Sequence, residues 1–474
     1  MRNKHTWLLV HPEISRTRYN FKGVIENECL ELEQLSAILK AEGQEVALWD
    51  GQVESLSLSA AVRRLAPQVV VVTGRCRQEN FMLEYCRTAK KVNPQTVTIL
   101  MGQHAGLCPD RLCRDGVDYV LSSCNLFHPV HLVSRFFGEE DLPVKDALGH
   151  EDTPALYDDL SQVEGLHYRR EDGTFGGQKA LPFDPNRLPL ADRSYFRAHP
   201  DNYRYLELTH AAWVRTAYAC PYRCTFCHRN RANAGTYMTR DIADVVEEIG
   251  AIPDRNIYLC DDDFLFDEER LREFVRRIRE RGIRKTYICY GRADFIASHE
   301  ELMAELKSIG FYYILVGLES ISDRQLADYH KRTTQKVNEK AIRICARLDL
   351  HLMAMFILDL DFTRRDFRDL YRYVRRERLR QVAVSIYTPE LGLPSSEAYK
   401  DRLITDNPSH YDYLHLVARP SKLGVKGYYL QYYLLLIRLF IRAWRQGVYD
   451  FIDYGDYIRS LIRNIFVKRK HDDE

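Results

Sequence analysis

Runs of apolar residues long enough for buried strands recur through the first third of the chain. They are rich in β-branched residues and nearly continuous, as parallel strands covered on both faces must be, and they occupy residues 6–10, 45–49, 68–73, 96–101 and 117–121. After the first run, residues 29–42 carry leucines and an isoleucine at helical spacing. This alternation of strand and helix predicts an α/β fold with a doubly wound, Rossmann-like parallel sheet over residues 1–140.

A second alternation follows over residues 205–400. Six further runs of strand length occupy residues 212–218, 256–260, 285–290, 312–316, 352–358 and 381–386. Amphipathic helical patterns such as residues 241–249 and 301–309 separate some of these runs. Six successive strand–helix units predict a partial (β/α)6 barrel, whose functional side chains would lie at the carboxyl ends of the strands.

Two segments fall outside these alternations. Residues 141–204 read as a connection that contains a small hairpin over 164–173 and is then interrupted by prolines. Residues 401–474 are predicted to be a helical extension, with helices over 410–415 and 427–444. The second helix is strongly apolar, but two arginines interrupt it, so a transmembrane span is not expected. We expect it to cover the open side of the barrel; the alternative is a helix in peripheral contact with a membrane surface.

Composition places the chain among ordinary globular proteins. It has 474 residues, 45% of them hydrophobic and 28% charged, with a formal net charge of +1. The near-neutral charge gives no electrostatic reason to expect nucleic acid as a partner. The first ten residues lack the apolar run of a signal peptide, and twelve cysteines without such a signal indicate a reducing compartment. We therefore expect a cytoplasmic protein.

Three cysteines, Cys220, Cys224 and Cys227, follow the first strand of the second alternation. Fe–S clusters are normally held by four thiolates, so a C-x3-C-x2-C set with no fourth cysteine nearby predicts a cluster with one open iron. The alternatives are a zinc site and packed thiols. Structural zinc needs four ligands, and His228, which is adjacent to Cys227, is poorly placed to be the fourth. Pro221 and Arg223 make the segment a polar loop and not core.

The cysteine spacing, with Phe226 before the last cysteine, resembles that of radical S-adenosylmethionine (SAM) enzymes. The resemblance implies a [4Fe-4S] cluster whose open iron is chelated by SAM. It also implies an external electron donor, flavodoxin or ferredoxin, and electron transfer that cleaves SAM, usually to a 5′-deoxyadenosyl radical.

Polar residues at later strand ends extend the resemblance to the radical SAM class that carries a cobalamin domain. The ordered set implies SAM-binding roles: an aspartate near the methionine amine, an arginine near the carboxylate or cluster edge, and a Glu-Ser pair near the ribose or amine. The corresponding residues are Asp262, Asp263, Arg292, Asp294, Glu319 and Ser320, with Lys331 following a helix as a lysine does in relatives.

The strand ends of the first alternation resemble the cobalamin-binding domain of the same class. Thr73 and Gly74 end one strand, and Gly102 and His104 follow the next, in a turn similar to the Gly-Gly-x-His-Ala turn of relatives. These four residues are expected near cobalamin. No Asp-x-His-x-x-Gly motif is present, which argues against a histidine of this domain as a cobalt ligand. The alternative is a cofactor-free Rossmann-like domain that docks on the barrel.

The resemblance implies a cobalamin-dependent radical SAM methyltransferase that methylates an unactivated carbon of a small molecule such as a lipid or a natural product. No catalytic acid or base can be assigned. The alternatives are a cobalamin-dependent radical cyclisation or rearrangement without methyl transfer, a non-catalytic Fe–S or corrinoid-binding protein, and a zinc-bound structural module.

Overall fold

The computed structural model describes residues 2–13, 25–152, 154–448 and 450. Its N-terminal part contains the strands β1 (Thr6–His11), β2 (Ile25–Glu26), β3 (Glu45–Asp50), β4 (Val69–Thr73), β5 (Val97–Met101), β6 (Tyr119–Leu121), β7 (Leu166–Arg169) and β8 (Phe175–Gly177). The helices are α1 (Leu30–Ala41), α2 (Leu58–Leu65), α3 (Glu79–Val92), α4 (Gln103–Leu107), α5 (Pro109–Leu112) and α6 (His128–Phe136).

Seven of these strands form one sheet in the order β3-β1-β4-β5-β6-β7-β8. The first five are parallel, with Trp7 opposite Val69 and Val69 opposite Val97. Helices α1 and α6 pack on one face of the sheet and α2 and α3 on the other. The doubly wound sheet predicted from the continuous apolar runs is confirmed.

The predicted hairpin in the connection forms, and β7 pairs antiparallel with β6. The sheet therefore continues beyond residue 140, as far as Gly177. The hairpin covers the edge of β6, which would otherwise be exposed. The connection between the sheet and the barrel is thus part of the N-terminal core as well as a bridge.

The second half of the chain is built around six parallel strands in the order β11-β14-β15-β16-β17-β18. The strands are β9 (Arg204–Tyr205), β10 (Leu208–Thr209), β11 (Ala211–Val214), β12 (Ala217–Tyr218), β13 (Met238–Thr239), β14 (Asn256–Leu259), β15 (Thr286–Gly291), β16 (Phe311–Glu319), β17 (His351–Leu358) and β18 (Gln381–Ile386). The helices are α7 (Ser194–Ala198), α8 (Ile242–Ala251), α9 (Glu268–Glu280), α10 (Ala293–Ser298), α11 (Glu300–Ser308), α12 (Asp323–Asp328), α13 (Gln335–Arg347), α14 (Arg364–Arg376), α15 (Pro394–Glu397) and α16 (Gly424–Trp444).

The partial barrel is confirmed, with its crossover helices packed outside the sheet on alternate strand residues. The predicted strand over 212–218 divides in two: β11 belongs to the barrel sheet, whereas β12 pairs with β13 just before the cysteine loop. A small sheet, β10-β9-β2, joins the barrel to the segment that precedes α1.

Of the two helices predicted after residue 400, the second forms as α16. The prediction of the first, over 410–415, is wrong, since the chain forms only a short 3₁₀ turn at this point, Pro408–His410. Helix α16 buries Tyr428, Tyr432 and Leu435 against the barrel, where Tyr428 contacts Phe367 of α14 edge to face. Among the described residues, no helix has the length and apolar character to cross a bilayer. The rest of the predicted extension, residues 451–474, lies outside the described residues.

Candidate functional site

The cysteine loop begins directly after β12. Cys220, Cys224 and Cys227 lie on one turn-rich segment, in which the Cys227 amide donates to the Cys224 carbonyl at 3.2 Å. Burial raises the pKa of Cys220 and of Cys227 to about 12. Both thiols are thus protonated in the metal-free protein, and iron must displace their protons to bind.

Within the described chain, no three His, Cys, Asp or Glu side chains meet as they would around one metal. A cubane binds each thiolate at a different iron, so its ligands need not converge on a single point.

Arg292, at the end of β15, lies at the edge of the cysteine loop. Its guanidinium stacks 3.6 Å from the ring centroid of Tyr222 and lies 3.9 Å from the Cys224 Sγ. It donates two hydrogen bonds to Asp294, of 3.0 and 2.9 Å, and another to the Lys331 carbonyl. Asp294 therefore orients Arg292, and the guanidinium supplies positive charge beside the thiol.

A buried ion pair ends the next strand. Lys331 donates to Glu319 at 2.9 Å, and Glu319 has the left-handed φ of +59° at a bulge in β16. A Cβ on Gly317 would lie 2.1 Å from the Glu319 carboxylate, so only glycine leaves room for this pair. The neighbouring Ser320 is engaged in the following turn, where it accepts from the Ser322 amide at 3.0 Å.

The three aspartates after β14 have different surroundings. Asp261 accepts from the Thr216 hydroxyl and from two backbone amides, which ties the cysteine-bearing segment to β14. Asp262 accepts from Arg229 at 2.9 Å. Asp263 is buried, and neither of its carboxylate oxygens has a hydrogen-bond partner. Of the three aspartates, only Asp263 therefore has buried oxygens that accept no hydrogen bond.

Burial raises the pKa of Asp263 to about 8, although the positive charges of Arg292 and Lys331 oppose the shift. A buried polar group without a hydrogen-bond partner costs free energy. At the end of a strand, such a group is expected where a bound ligand supplies the partner. An ammonium group would satisfy both of its oxygens.

A large cleft separates the N-terminal sheet from the barrel mouth. Its empty volume is about 1600 Å³, part of which is open to solvent. One wall contains Thr73, Gly74 and Gly102 at the ends of β4 and β5, and the other contains Ala219 and Asp262. The two sets of strand ends thus face each other across one space.

The wall formed by the ends of β4 and β5 is closely packed. Thr73 donates to Glu31 at 2.8 Å, and Gly102, with φ of +91°, packs so tightly that an added Cβ would lie 2.1 Å from the Thr73 hydroxyl. The structure brings Thr73, Gly74 and Gly102 together as expected. Both glycines line the cleft, and neighbouring protein atoms fill the space that a Cβ would need, the Thr73 hydroxyl at Gly102 and the Met82 side chain at Gly74.

His104 was expected beside the same ligand, and the structure corrects this. Its ring is fully buried and lies 2.6 Å from Glu79, which also accepts from Arg111. His104 does not line the cleft. The turn after β5 enters α4, and the first residues of this helix direct the ring towards α3.

Phe226 packs edge to face on Tyr329, with ring centroids 5.1 Å apart. It therefore joins the cysteine loop to the helix that precedes Lys331. Its contacts are those of a residue that positions the loop.

Sequence reasoning missed a contact that crosses the cleft. His228, next to the last cysteine, contacts Glu390 of the loop after β18 and Gln103 of the N-terminal domain. Nothing in the local pattern distinguishes these three residues, because they are separated by more than a hundred positions along the chain. Arg75, Arg215 and Arg229 also line the cleft and give it a positive interior.

Comparison with known proteins agrees with this architecture. The family model of the radical SAM superfamily matches residues 214–374, and that of the B12 binding domain matches residues 27–122. The chain therefore carries a radical SAM domain and, before it, a B12-binding domain. The first match runs from the end of β11 through the cysteine loop to α14, and the second covers β3, β4, β5 and β6 of the parallel sheet.

Two curated relatives match most of the chain. It is 25% identical over 430 residues to a hopanoid C-3 methylase of Methylococcus capsulatus, covering 89% of this chain and 77% of that protein. It is 23% identical over 406 residues to an anaerobic magnesium-protoporphyrin IX monomethyl ester cyclase of Cereibacter sphaeroides, covering 82% and 63%.

Two solved structures share the fold. The cobalamin-dependent SAM radical enzyme OxsB, with aqua-cobalamin and SAM bound, superposes with a TM-score of 0.69 at 15% identity, covering 90% of this chain and 66% of that one. The radical SAM methyltransferase TsrM from Kitasatospora setae, with cobalamin and a [4Fe-4S] cluster bound, gives 0.64 at 15% identity, covering 96% and 92%.

The two domains identify the cofactors as a [4Fe-4S] cluster, SAM and cobalamin. The residues fit these groups. Three thiols share the loop after β12, an unpaired carboxyl group lies in the barrel, and the glycine-bearing wall of the cleft has room for a corrin ring.

Proposed function

We propose that this protein is a cobalamin-dependent methyltransferase that transfers a methyl group to an unactivated carbon of a small molecule. The observation that carries the proposal is the shared cleft, in which the ends of β4 and β5 face Ala219 and His228, which flank the three cysteines, and Asp262 at the end of β14. A methyl donor on one wall and a radical generator on the other then reach the same substrate carbon. Two relatives are named as carbon methylases, of hopanoid and of bacteriochlorophyllide d.

Each part of the site has an assigned task. Cys220, Cys224 and Cys227 would hold three irons of the cluster, and Asp263 would accept hydrogen bonds from the SAM ammonium. When bound, the cluster and SAM supply a carbon-centred radical, and cobalamin supplies the methyl group.

Other residues act by position and charge. Arg292, held by Asp294, supplies positive charge at the cluster edge, and the Lys331–Glu319 pair fixes the end of β16 beside it. Burial of this layer excludes water, which would otherwise quench a reactive carbon intermediate.

The cell must also supply a reductant. We propose flavodoxin or ferredoxin as the external electron donor and the cytoplasm as the compartment. This donor and this compartment suit a thiolate-bound cluster, because oxygen would destroy the cluster.

The test is anaerobic reconstitution with iron, sulfide and cobalamin, followed by turnover with methyl-deuterated SAM and a candidate substrate. We expect stoichiometric cluster and corrin, and a product that is heavier by one deuterated methyl group. The Cys224→Ala variant should lose the cluster and all SAM cleavage, whereas Cys345→Ala, which removes a buried thiol on α13, should keep both. A wild-type protein that loads no cubane would contradict the proposal.

The cyclase relative supports a second candidate, a radical cyclisation without methyl transfer. Product mass separates the two, because cyclisation gives an isomer or a dehydrogenated product with no gain of deuterium.

A further inference from the structure

The inner face of the barrel sheet is distinct from its outer core. Alternate strand residues such as Val214, Cys289 and Phe356 pack under the helices. The residues between them form a separate cluster, which we term the inner face: Trp213, Tyr258, Ile288, Tyr290, Tyr313, Leu315, Met353 and Met355. Aromatic rings and thioethers therefore line the interior of the barrel.

Protein covers half of the inner face, since Tyr258, Ile288, Tyr313 and Leu315 are buried, and the other half is partly exposed. Val214 and Ala354 on the outer side are completely buried, whereas Trp213, Tyr290 and Met355 keep part of their surface exposed. In closed eight-stranded barrels, side chains fill the interior. Six strands do not close, so the interior retains surface that a ligand can cover.

The barrel strands themselves add almost no charge to this surface, and the charged side chains beside it, Arg75, Arg215 and Arg229, lie at its cleft end. The six barrel strands contain no Asp, Glu, Lys or Arg except Glu319, which ends β16. The polar atoms among the aromatic residues are phenols, since the hydroxyls of Tyr205, Tyr258 and Tyr290 hydrogen-bond to one another. Burial raises the pKa of Tyr205 and of Tyr258, so both stay neutral.

The inner face is continuous with the cleft. Trp213 and Leu30 belong to the inner cluster and also line the cleft. Trp213 meets Tyr258 edge to face, with centroids 4.8 Å apart, and Tyr290 follows at 6.2 Å from Tyr258. A molecule held on this surface would have one end at the cysteine loop and the B12-binding wall.

We propose that the inner face binds a neutral substrate with a mostly apolar carbon skeleton, such as an isoprenoid or a polycyclic lipid. The assignment rests on the proposed function, since it names the substrate class of the same site. Unbranched methionines adapt to irregular apolar shapes, and apart from Glu319 the barrel strands offer a charged substrate no ionic partner to offset its lost hydration.

Equilibrium dialysis of the reconstituted holoprotein tests the assignment, with radiolabelled farnesol and cholesterol as apolar probes and tryptophan as a polar one. We expect at least one apolar probe to bind about tenfold or more tightly than tryptophan. Met355→Lys should weaken that binding about tenfold or more, because it buries a charge, and the matched Met355→Leu should retain it.

Cluster and corrin contents report whether the variants fold. If Met355→Lys loses them, Met353→Gln replaces it, with an expected loss of about threefold or more. Equal binding by wild type and the polar variants, or tighter binding of tryptophan, overturns the substrate class. A protein that loads its cofactors and cleaves SAM yet binds neither apolar probe would leave the proposed function intact and remove only this inference.

A second, independent observation concerns the outer surface of α16. Its solvent side carries apolar residues at helical spacing, which we term the α16 stripe: Leu430, Tyr433, Leu434, Ile437, Phe440, Ile441 and Trp444. Leu430, Ile437 and Trp444 are each 55% exposed. Contiguous exposed apolar residues on one helix face indicate an interaction surface.

The surroundings of the stripe are basic. Helix α16 contains Lys426, Arg438 and Arg442 and no acidic residue. The adjacent α14 carries six exposed arginines and two aspartates. Apolar residues flanked by arginine and lysine are typical of helices that lie in the interface of an anionic membrane.

We infer that the α16 stripe docks on the surface of an anionic phospholipid bilayer. Sedimentation of the full-length holoprotein with vesicles tests this, using phosphatidylcholine alone and a mixture with phosphatidylglycerol. We expect binding to the anionic vesicles that falls with added salt. Ile437→Glu should reduce it about tenfold or more, whereas Leu181→Glu, which changes a residue 60% exposed elsewhere, should not.

Wild-type protein that stays in the supernatant overturns the inference, as does an equal loss in both variants. Self-association that Ile437→Glu abolishes, without vesicle binding, would assign the stripe to a second copy of the chain and overturn it as well.

Discussion

Three adjacent aspartates after β14 are equivalent in the sequence but different in the fold. Asp261 is saturated by backbone and hydroxyl donors, Asp262 is paired with Arg229, and only Asp263 is buried without a partner. Since the buried carboxyl group is uncharged at neutral pH, a cationic ligand must expel its proton in order to bind.

The first prediction concerns this proton. S-adenosylhomocysteine carries the same ammonium as SAM, so its binding should release about one proton near pH 7 and strengthen as the pH rises towards about 8, where free Asp263 ionises. Asp263→Asn should remove this pH dependence and weaken binding about tenfold to a hundredfold.

Isothermal titration calorimetry in two buffers of different ionisation enthalpy measures the released proton and the affinity together. Asp262→Asn is the matched control and should keep the proton release. Proton release that persists in Asp263→Asn would show that another group accepts the ammonium.

At the scale of elements, the turn after β5 shows what local pattern does and does not specify. The glycine and the strand end were predictable, because a buried parallel strand is a continuous apolar run. The direction of the His104 ring was not, since it depends on where α3 places Glu79. Likewise, the hairpin over 164–173 was readable from its turn, but its pairing with β6 depends on the whole sheet.

Gly102→Ala is predicted to destabilise the protein by about 1–3 kcal/mol, because it combines a left-handed φ with a collision against Thr73. Gly43→Ala has φ of +77° with nothing within 4 Å of the added Cβ, so it should cost only about 1 kcal/mol. Urea denaturation measures both values.

Corrin bound per protein, measured by absorbance, separates the two glycines further. It should fall in Gly102→Ala, whose site lines the cleft, and stay at the wild-type level in Gly43→Ala. Equal destabilisation by both substitutions would mean that the turn after β5 can relax.

At the scale of the whole molecule, buried charges bridge the two domains. Arg193, in the connection, donates to Glu28 before α1, to Glu248 of α8 at 3.0 Å and to the Trp213 carbonyl at 2.6 Å. No periodicity in the sequence predicts this set of buried charges, because its members lie on three separate segments of the chain. The two domains were therefore predictable from the sequence, but the buried ion pairs that join them were not.

Arg193→Met should destabilise the protein by about 3–5 kcal/mol, because it leaves the buried Glu28 carboxylate without its cation and leaves Glu248 with Arg240 alone. Arg276→Met, on the exposed face of α9, should change stability by less than about 1 kcal/mol. Limited proteolysis of the 178–205 connection, with thermal unfolding, reports both effects. A connection equally resistant to protease in both variants would assign the joint to other contacts.

The cleft described above has one wall from each domain, and this has a consequence for the chain in the cell. A ligand that touches both walls stabilises the joined arrangement by mass action, in proportion to the logarithm of its free concentration. When the corrin is scarce, the polypeptide would thus have a shorter lifetime as well as less enzymatic activity. Vitamin supply and protein abundance would then rise and fall together.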